Sequence, residues 1–137
     1  MADAALRLEL ATPARLVVSE AVDEVVVPGV DGYFGVWPGH AALLALVGVG
    51  EVTYRAGREE HYLAVAGGFA EVGPDRVTIL ADTAEPAEEI DDVRARAARE
   101  RAERRLAARA GEEIDHPRAL GALARAQARL HVASRGR

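Results

Sequence analysis

Residues 62–81 read YLAVAGGFAEVGPDRVTILA, and the reading of this stretch decides the fold. Three apolar runs, Tyr62–Ala66, Phe69–Val72 and Val77–Ala81, are separated by Gly67-Gly68 and by Gly73-Pro74-Asp75. A helix needs a 3.6-residue period sustained over about ten residues, whereas short Val/Ile/Leu runs closed by Gly, Pro and Asp are strands joined by turns. The breaks leave no room for a helix, and Gly67-Gly68 reads as a turn at a strand end.

The same pattern extends outward on the N-terminal side. Leu6, Leu8 and Leu10 alternate with Arg7 and Glu9, and Val18, Ala21 and Val22 lead through Asp23-Glu24 into Val25–Val27, closed by Pro28-Gly29. Leu43–Val47 gives way to Gly48 and Gly50. Val52, Tyr54 and Ala56 then alternate with Thr53 and Arg55 before Gly57. Turn signals about every 8–12 residues, with no helical period between them, predict an all-β sandwich or barrel over residues 5–83. Between two of these strands lies Asp31–Leu44, DGYFGVWPGHAALL, a loop shaped by three glycines and Pro38. Its rings suit two fates, folding back into the core or anchoring an interface. Trp37 and Ala41–Leu44 are assigned to the sandwich, and the residues before them to a surface.

From Glu85 the composition changes to Ala, Arg and Glu, with neither glycine nor proline between Pro86 and Gly111. Pro86 suits a helix's first turn, Glu88, Glu89, Asp91 and Asp92 suit its positive end, and Arg104, Arg105 and Arg109 its negative end, with Gly111 as the closing residue. A second helix is expected from Asp115 or His116, with Pro117 in its first turn, to about Ala133. Two helices on a short connection make an antiparallel hairpin. The fold class is therefore α+β: a β-sandwich or flattened barrel over 1–86, then a two-helix hairpin over 87–137. On the helices Ile90, Val93, Ala97 and Leu106 face a seam of Leu120, Leu123 and Leu130 filled out by alanine. Each such leucine is worth about 1.5–3 kcal/mol when buried, against about 1–2 kcal/mol of backbone ordering per residue, so the hairpin is marginal and able to open.

Charge divides at the same place. All 17 basic residues are arginine; residues 1–87 carry 5 of them against 13 acids, and residues 88–137 carry 12 against 9. Such asymmetry marks two differently used modules, the basic one meeting an acidic surface, a nucleic acid or a nucleotide. There is no cysteine, so a disulfide framework and a thiolate site are excluded. No signal peptide or unbroken run of about 18 apolar residues occurs, so a soluble chain without direct membrane insertion is expected. His40, His61, His116 and His131 lack metal-ligand spacing. No lysine is present to complete a phosphate loop, and neither Ser19 nor Ser134 sits in a nucleophile elbow. No catalytic constellation is found, and the chain is expected not to be an enzyme. An arginine-rich adaptor for nucleic acid is the rival reading, disfavoured by the interleaved acids and by the absence of any aromatic residue after Phe69.

GYFGVWPGHAALL, LAVAGGFAEV, VTILADTAE and the arginine-alanine tail follow the order seen in the epsilon subunits of the rotary F-type ATP synthase, which this chain resembles over nearly its whole length. The resemblance implies a non-catalytic central-stalk subunit on the cytoplasmic face of the bacterial inner membrane. Its sandwich touches the gamma subunit and the c ring, and its hairpin extends toward the alpha and beta subunits to inhibit ATP hydrolysis. It implies Asp31, Tyr33, Gly35 and His40 as c-ring contacts. Ile90-Asp91-Asp92-Val93-Arg94-Ala95 matches the family's Ile/Leu-Asp-x-x-Arg-Ala pattern, which begins the first helix in members that bind ATP. Glu85, Ile90, Asp91, Arg94, Arg101, Arg125 and Arg129 are thereby candidates to bind regulatory ATP, with no cofactor required. Arg96, Arg99, Arg104 and Arg105 are candidates to meet the beta subunit when the hairpin extends.

Overall fold

The computed structural model describes residues 6–108 and 113–135; Arg109 and Gly111, expected at the end of the first helix, lie outside them. Eight strands, β1 (Leu6–Ala11), β2 (Leu16–Val22), β3 (Glu24–Gly29), β4 (Gly32–Val36), β5 (Leu43–Leu46), β6 (Val49–Ala56), β7 (Glu59–Val72) and β8 (Arg76–Pro86), precede two helices, α1 (Asp92–Leu106) and α2 (His116–Arg135). Seven strands follow one hydrogen-bonded path, β2-β1-β8-β7-β6-β3-β4, while β5 pairs with the far half of β7. The path folds over on itself around one core that contains Leu6, Leu8, Leu10, Val25, Val27 and Ile79. The period-two pattern of β1 is the reason: its three leucines are fully buried while Arg7 points to solvent. β1 lies antiparallel to β2 but parallel to β8, with Leu10 opposite Ile79.

The Gly67-Gly68 pair does not end a strand. β7 runs through it for 14 residues, pairing with β6 before the glycines and with β5 after them. Both glycines take positive φ, 70° and 112°, so the strand bends sharply while its ladder to β8 continues on both sides. A Cβ on Gly68 would overlap the Leu80 carbonyl oxygen of that neighbour. Glycine is needed there on both counts.

Trp37 is not packed into the sandwich. It follows buried Val36 in the alternation of β4 and is 57% exposed, and Leu44 is likewise turned outward. The first helix also starts later than composition suggests, while the second begins at His116 as expected. Pro86 is extended and still pairs with Leu63, Ala87–Glu89 form a single 3-10 turn, and α1 begins only after Asp91, whose carboxylate accepts the Arg94 N–H at 3.1 Å. Asp115 caps α2 in the same way through the Arg118 N–H at 3.0 Å.

The seam between the helices is alanine rather than leucine. Ala95 and Ala102 on α1, and Ala119 and Ala126 on α2, are buried at seven-residue spacing, while Ala133 one repeat further packs against the sandwich. Val93 and Leu120 are exposed, and Leu106, Leu123 and Leu130 are half-buried. Methyl side chains allow the backbones to approach closely, so the larger residues flank the seam instead of filling it. Among the described residues no helix is long and apolar enough to cross a membrane.

Candidate functional site

Where α2 returns to the sandwich, three of the sequence-predicted ligands come together. Glu85, near the end of β8 opposite Ala64, meets the guanidinium of Arg129 at 2.7 Å to Nε and 3.3 Å to Nη2. Only the Nη2 contact has hydrogen-bond geometry, so Glu85 holds the guanidinium by charge and a single hydrogen bond. Arg125 lies one turn earlier on the same face of α2, and its Nη1 reaches back over Gly121. With Ala64, Ala66 and Thr83, these three residues line a cleft of about 200 Å³. Arg125 has no acidic partner among the described residues, so the cleft holds one neutralised cation and one free one.

The other expected ligands lie elsewhere. Ile90 is buried beneath the end of α2 with Ala64, Ala87, Val132 and Ala133. Asp91 is occupied as the cap of α1. Arg94 and Arg101 are exposed on α1 and do not line the cleft. Arg101 joins Arg104 and Arg105 around Ile114 at the far end of the hairpin, while Arg96 and Arg99 pair with Asp92 and Glu103 one turn away, both at 3.7 Å.

The residues expected to form one contact face are divided between the two ends of β4. Asp31 sits in the β3–β4 turn, where Val30 donates its N–H to the Leu46 carbonyl. His40 lies beyond Trp37, where the Gly39 N–H donates to Pro74 at 2.6 Å, and its Nδ1 is 2.6 Å from the Ala41 carbonyl oxygen. Gly35 is within β4, opposite Val26. Tyr33 is exposed along its ring, but its hydroxyl accepts the Glu51 N–H at 3.1 Å.

Two features carry no local sequence signal. The first is an outward apolar row running across three strands: Leu46 opposite Phe69, and Phe69 opposite Leu80, all exposed. Beside it, Ala11, Pro13 and Asp82 help line a cleft of about 370 Å³. The second is Glu51, only 8% exposed, which receives the last turns of α2. Its Oε1 is 3.2 Å from Arg135 Nη1 and accepts the Thr53 hydroxyl at 3.1 Å, and its Oε2 is 3.7 Å from His131 Nε2. Arg135 also lies over the Tyr62 ring, 4.4 Å from its centre, while the Tyr62 hydroxyl donates to Glu60. Tyr62 first, and Glu51 to a lesser degree, hold the Arg135 guanidinium in its charged form more firmly than usual. Among the described residues there is no group of three or more His, Cys, Asp or Glu able to hold a metal.

Comparison with known proteins agrees with both halves of the fold. Residues 5–87 match the family described as ATP synthase, Delta/Epsilon chain, beta-sandwich domain, and residues 88–134 match its long alpha-helix domain. The ATP synthase epsilon chain of Syntrophobacter fumaroxidans is 57% identical over 102 residues, covering 74% of this chain and 76% of that one. That of Moorella thermoacetica is 54% identical over 107 residues, covering 77% and 80%. In fold, the chain superposes on one from the Euglena gracilis mitochondrial ATP synthase, a structure of its OSCP, F1 and c-ring, with a TM-score of 0.82 at 24% identity over 96% of this chain and 82% of that one. A chain of the Tetrahymena thermophila central stalk and c-ring gives 0.58 at 12% identity, over 96% and 95%. By these matches the chain belongs to the ATP synthase delta/epsilon family, as an epsilon-type, non-catalytic subunit of the central stalk.

Proposed function

We propose that residues 1–86 attach this subunit to the rotor and that residues 87–137 form a detachable brake on ATP hydrolysis. The observation that carries the reading is the way the hairpin is held. The sandwich has a complete core of its own, and α2 rests on its outside through Val132, Ala133 and a few charged contacts, with alanines between the helices. An element held so lightly can leave without unfolding the rest. The released helix would present Arg94, Arg96, Arg99, Arg101, Arg104 and Arg105 to an acidic surface of the beta subunit.

The cleft at Glu85, Arg125 and Arg129 supports a regulatory role for ATP. It exists only when α2 is docked, so a nucleotide phosphate bound there favours the folded hairpin in proportion to its differential affinity. ATP would thereby relieve the brake. Arg94 and Ile90 act in this reading by positioning the first turn of α1 and the hairpin base, and Arg101 requires a shift of α1 to contribute. For attachment, the exposed row of Leu46, Phe69 and Leu80 fits the gamma subunit, and the β3–β4 turn with Asp31 and Tyr33 fits the c ring. Gly35 lies within β4 between that turn and His40, which sits past the strand's other end. The complex lies peripherally on the cytoplasmic face of the bacterial inner membrane. The i,i+4 pairs of Arg96 and Arg99 with acids weigh against a nucleic-acid adaptor, because they neutralise part of the charge that phosphates would need.

The test is the assembled enzyme carrying a subunit that lacks residues 92–137. It should assemble and pump protons, with ATP hydrolysis faster than that of the full complex. An unchanged hydrolysis rate would remove the brake from the reading.

A further inference from the structure

We infer that Glu51 couples the β3–β4 turn to the docking of α2, so that a partner taking hold of Tyr33 changes how readily the hairpin leaves the sandwich. The consequence for the assembled enzyme rests on the separable hairpin proposed above; the coupling itself lies within this one chain. Glu51 is the one buried charged side chain among the described residues, and both of its ends are in use. Its backbone N–H donates to the Tyr33 hydroxyl at 3.1 Å, and its carboxylate holds Arg135 at 3.2 Å and faces His131 at 3.7 Å.

The connection is built in by three residues that depend on one another. The pairing of β3 with β6 stops at Val26 opposite Thr53, and beyond it the Pro28 carbonyl is taken by the Gly48 N–H at 2.8 Å. The Glu51 N–H therefore finds a side-chain acceptor in place of a strand. Tyr33 can supply it because residue 50 is glycine: a Cβ there would overlap the Tyr33 hydroxyl and crowd Pro28. A residue held by one hydrogen bond on its backbone and by an ion pair on its side chain transmits displacement between the two. Moving Tyr33 orphans a part-buried N–H and shifts the start of β6, which carries the carboxylate away from Arg135. Such coupling is reciprocal, so docked α2 also stiffens the position of Tyr33.

Hydrogen exchange at the Val132 and Ala133 amides of the full-length subunit reads the docking directly. Glu51→Gln should speed that exchange about tenfold, since it leaves Arg135 without its carboxylate. Tyr33→Phe, which removes only the hydroxyl, should speed it about threefold. The double variant should exchange no faster than Glu51→Gln alone, because both changes act through one residue. Core amides of Val65 and Ile79 should keep their protection in all three, which separates weakened docking from unfolding. Effects that simply multiply, or a Tyr33→Phe variant that exchanges like the wild type, overturn the coupling. A hydrolysis rate indifferent to loss of the hairpin would remove the brake while leaving these exchange results to stand on their own.

Discussion

Replacing Val132 by alanine should loosen the hairpin while leaving the sandwich intact. Val132 is fully buried between α2 and the sandwich, beside Ile90 and Ala87. The substitution removes two methyl groups, worth about 0.8 kcal/mol each in transfer, and the partly unfilled space adds to that, for about 2 kcal/mol in all. At about 1.4 kcal/mol per factor of ten, the docked-to-undocked ratio should fall roughly thirtyfold. The hairpin has arginines throughout, so the rate of tryptic cleavage within residues 92–135 at low protease measures the opened fraction. Leu120→Ala is the control: Leu120 is 55% exposed and away from the sandwich, and its loss should change the rate by less than about threefold. Equal acceleration by the two substitutions, or cleavage within residues 6–86 appearing as fast as in the hairpin, would refute a docking carried by Val132.

Other parts of the structure give further expectations. Gly68→Ala forces a methyl against the Leu80 carbonyl at φ 112°, and it should cost about 2 kcal/mol or more and lower the sandwich melting temperature by roughly 10 °C in calorimetry; an unchanged Tm would mean the bend relaxes freely. Arg125→Ala with Arg129→Ala should abolish the heat of ATP binding to the isolated subunit by titration calorimetry, and heats equal to the wild type's would move the nucleotide elsewhere. Phe69→Glu should leave the isolated subunit's Tm within about 2 °C, because the side chain is exposed, yet prevent its capture by the rest of the enzyme; normal assembly would take that apolar row out of the interface.

The strands were legible because each carries its own period: Leu6, Leu8 and Leu10 need no distant partner to declare an inward face. What the glycines do was not legible to the same degree. Gly67-Gly68 is compatible with a turn or a bend, and only the continuous pairing with β8 distinguishes them. Pro86 misled for a related reason, since its fixed φ of −60° suits both a helical first turn and the end of a strand. In the hairpin, size is a poor guide to burial. Leucines drew attention, while alanines at seven-residue spacing made the seam. Of the candidate site, Glu85, Arg125 and Arg129 were found through the family resemblance, and the structure brings them to one cleft. Glu51 was invisible because an acid beside Val52 on an outward strand face reads as solvated, and the groups that cover it, His131 and Arg135, arrive from the last turns of the chain.

The bend in β7 has a mechanical meaning for a part of a rotating stalk. Because the same 14 residues serve β6 on one side of the bend and β5 on the other, with β8 alongside throughout, the two layers share an unbroken covalent spine. Torque applied at one face is then carried along the backbone into the other layer. Sliding the layers apart would require shearing whole rows of hydrogen bonds at once, so the sandwich can act as a stiff bracket within the stalk.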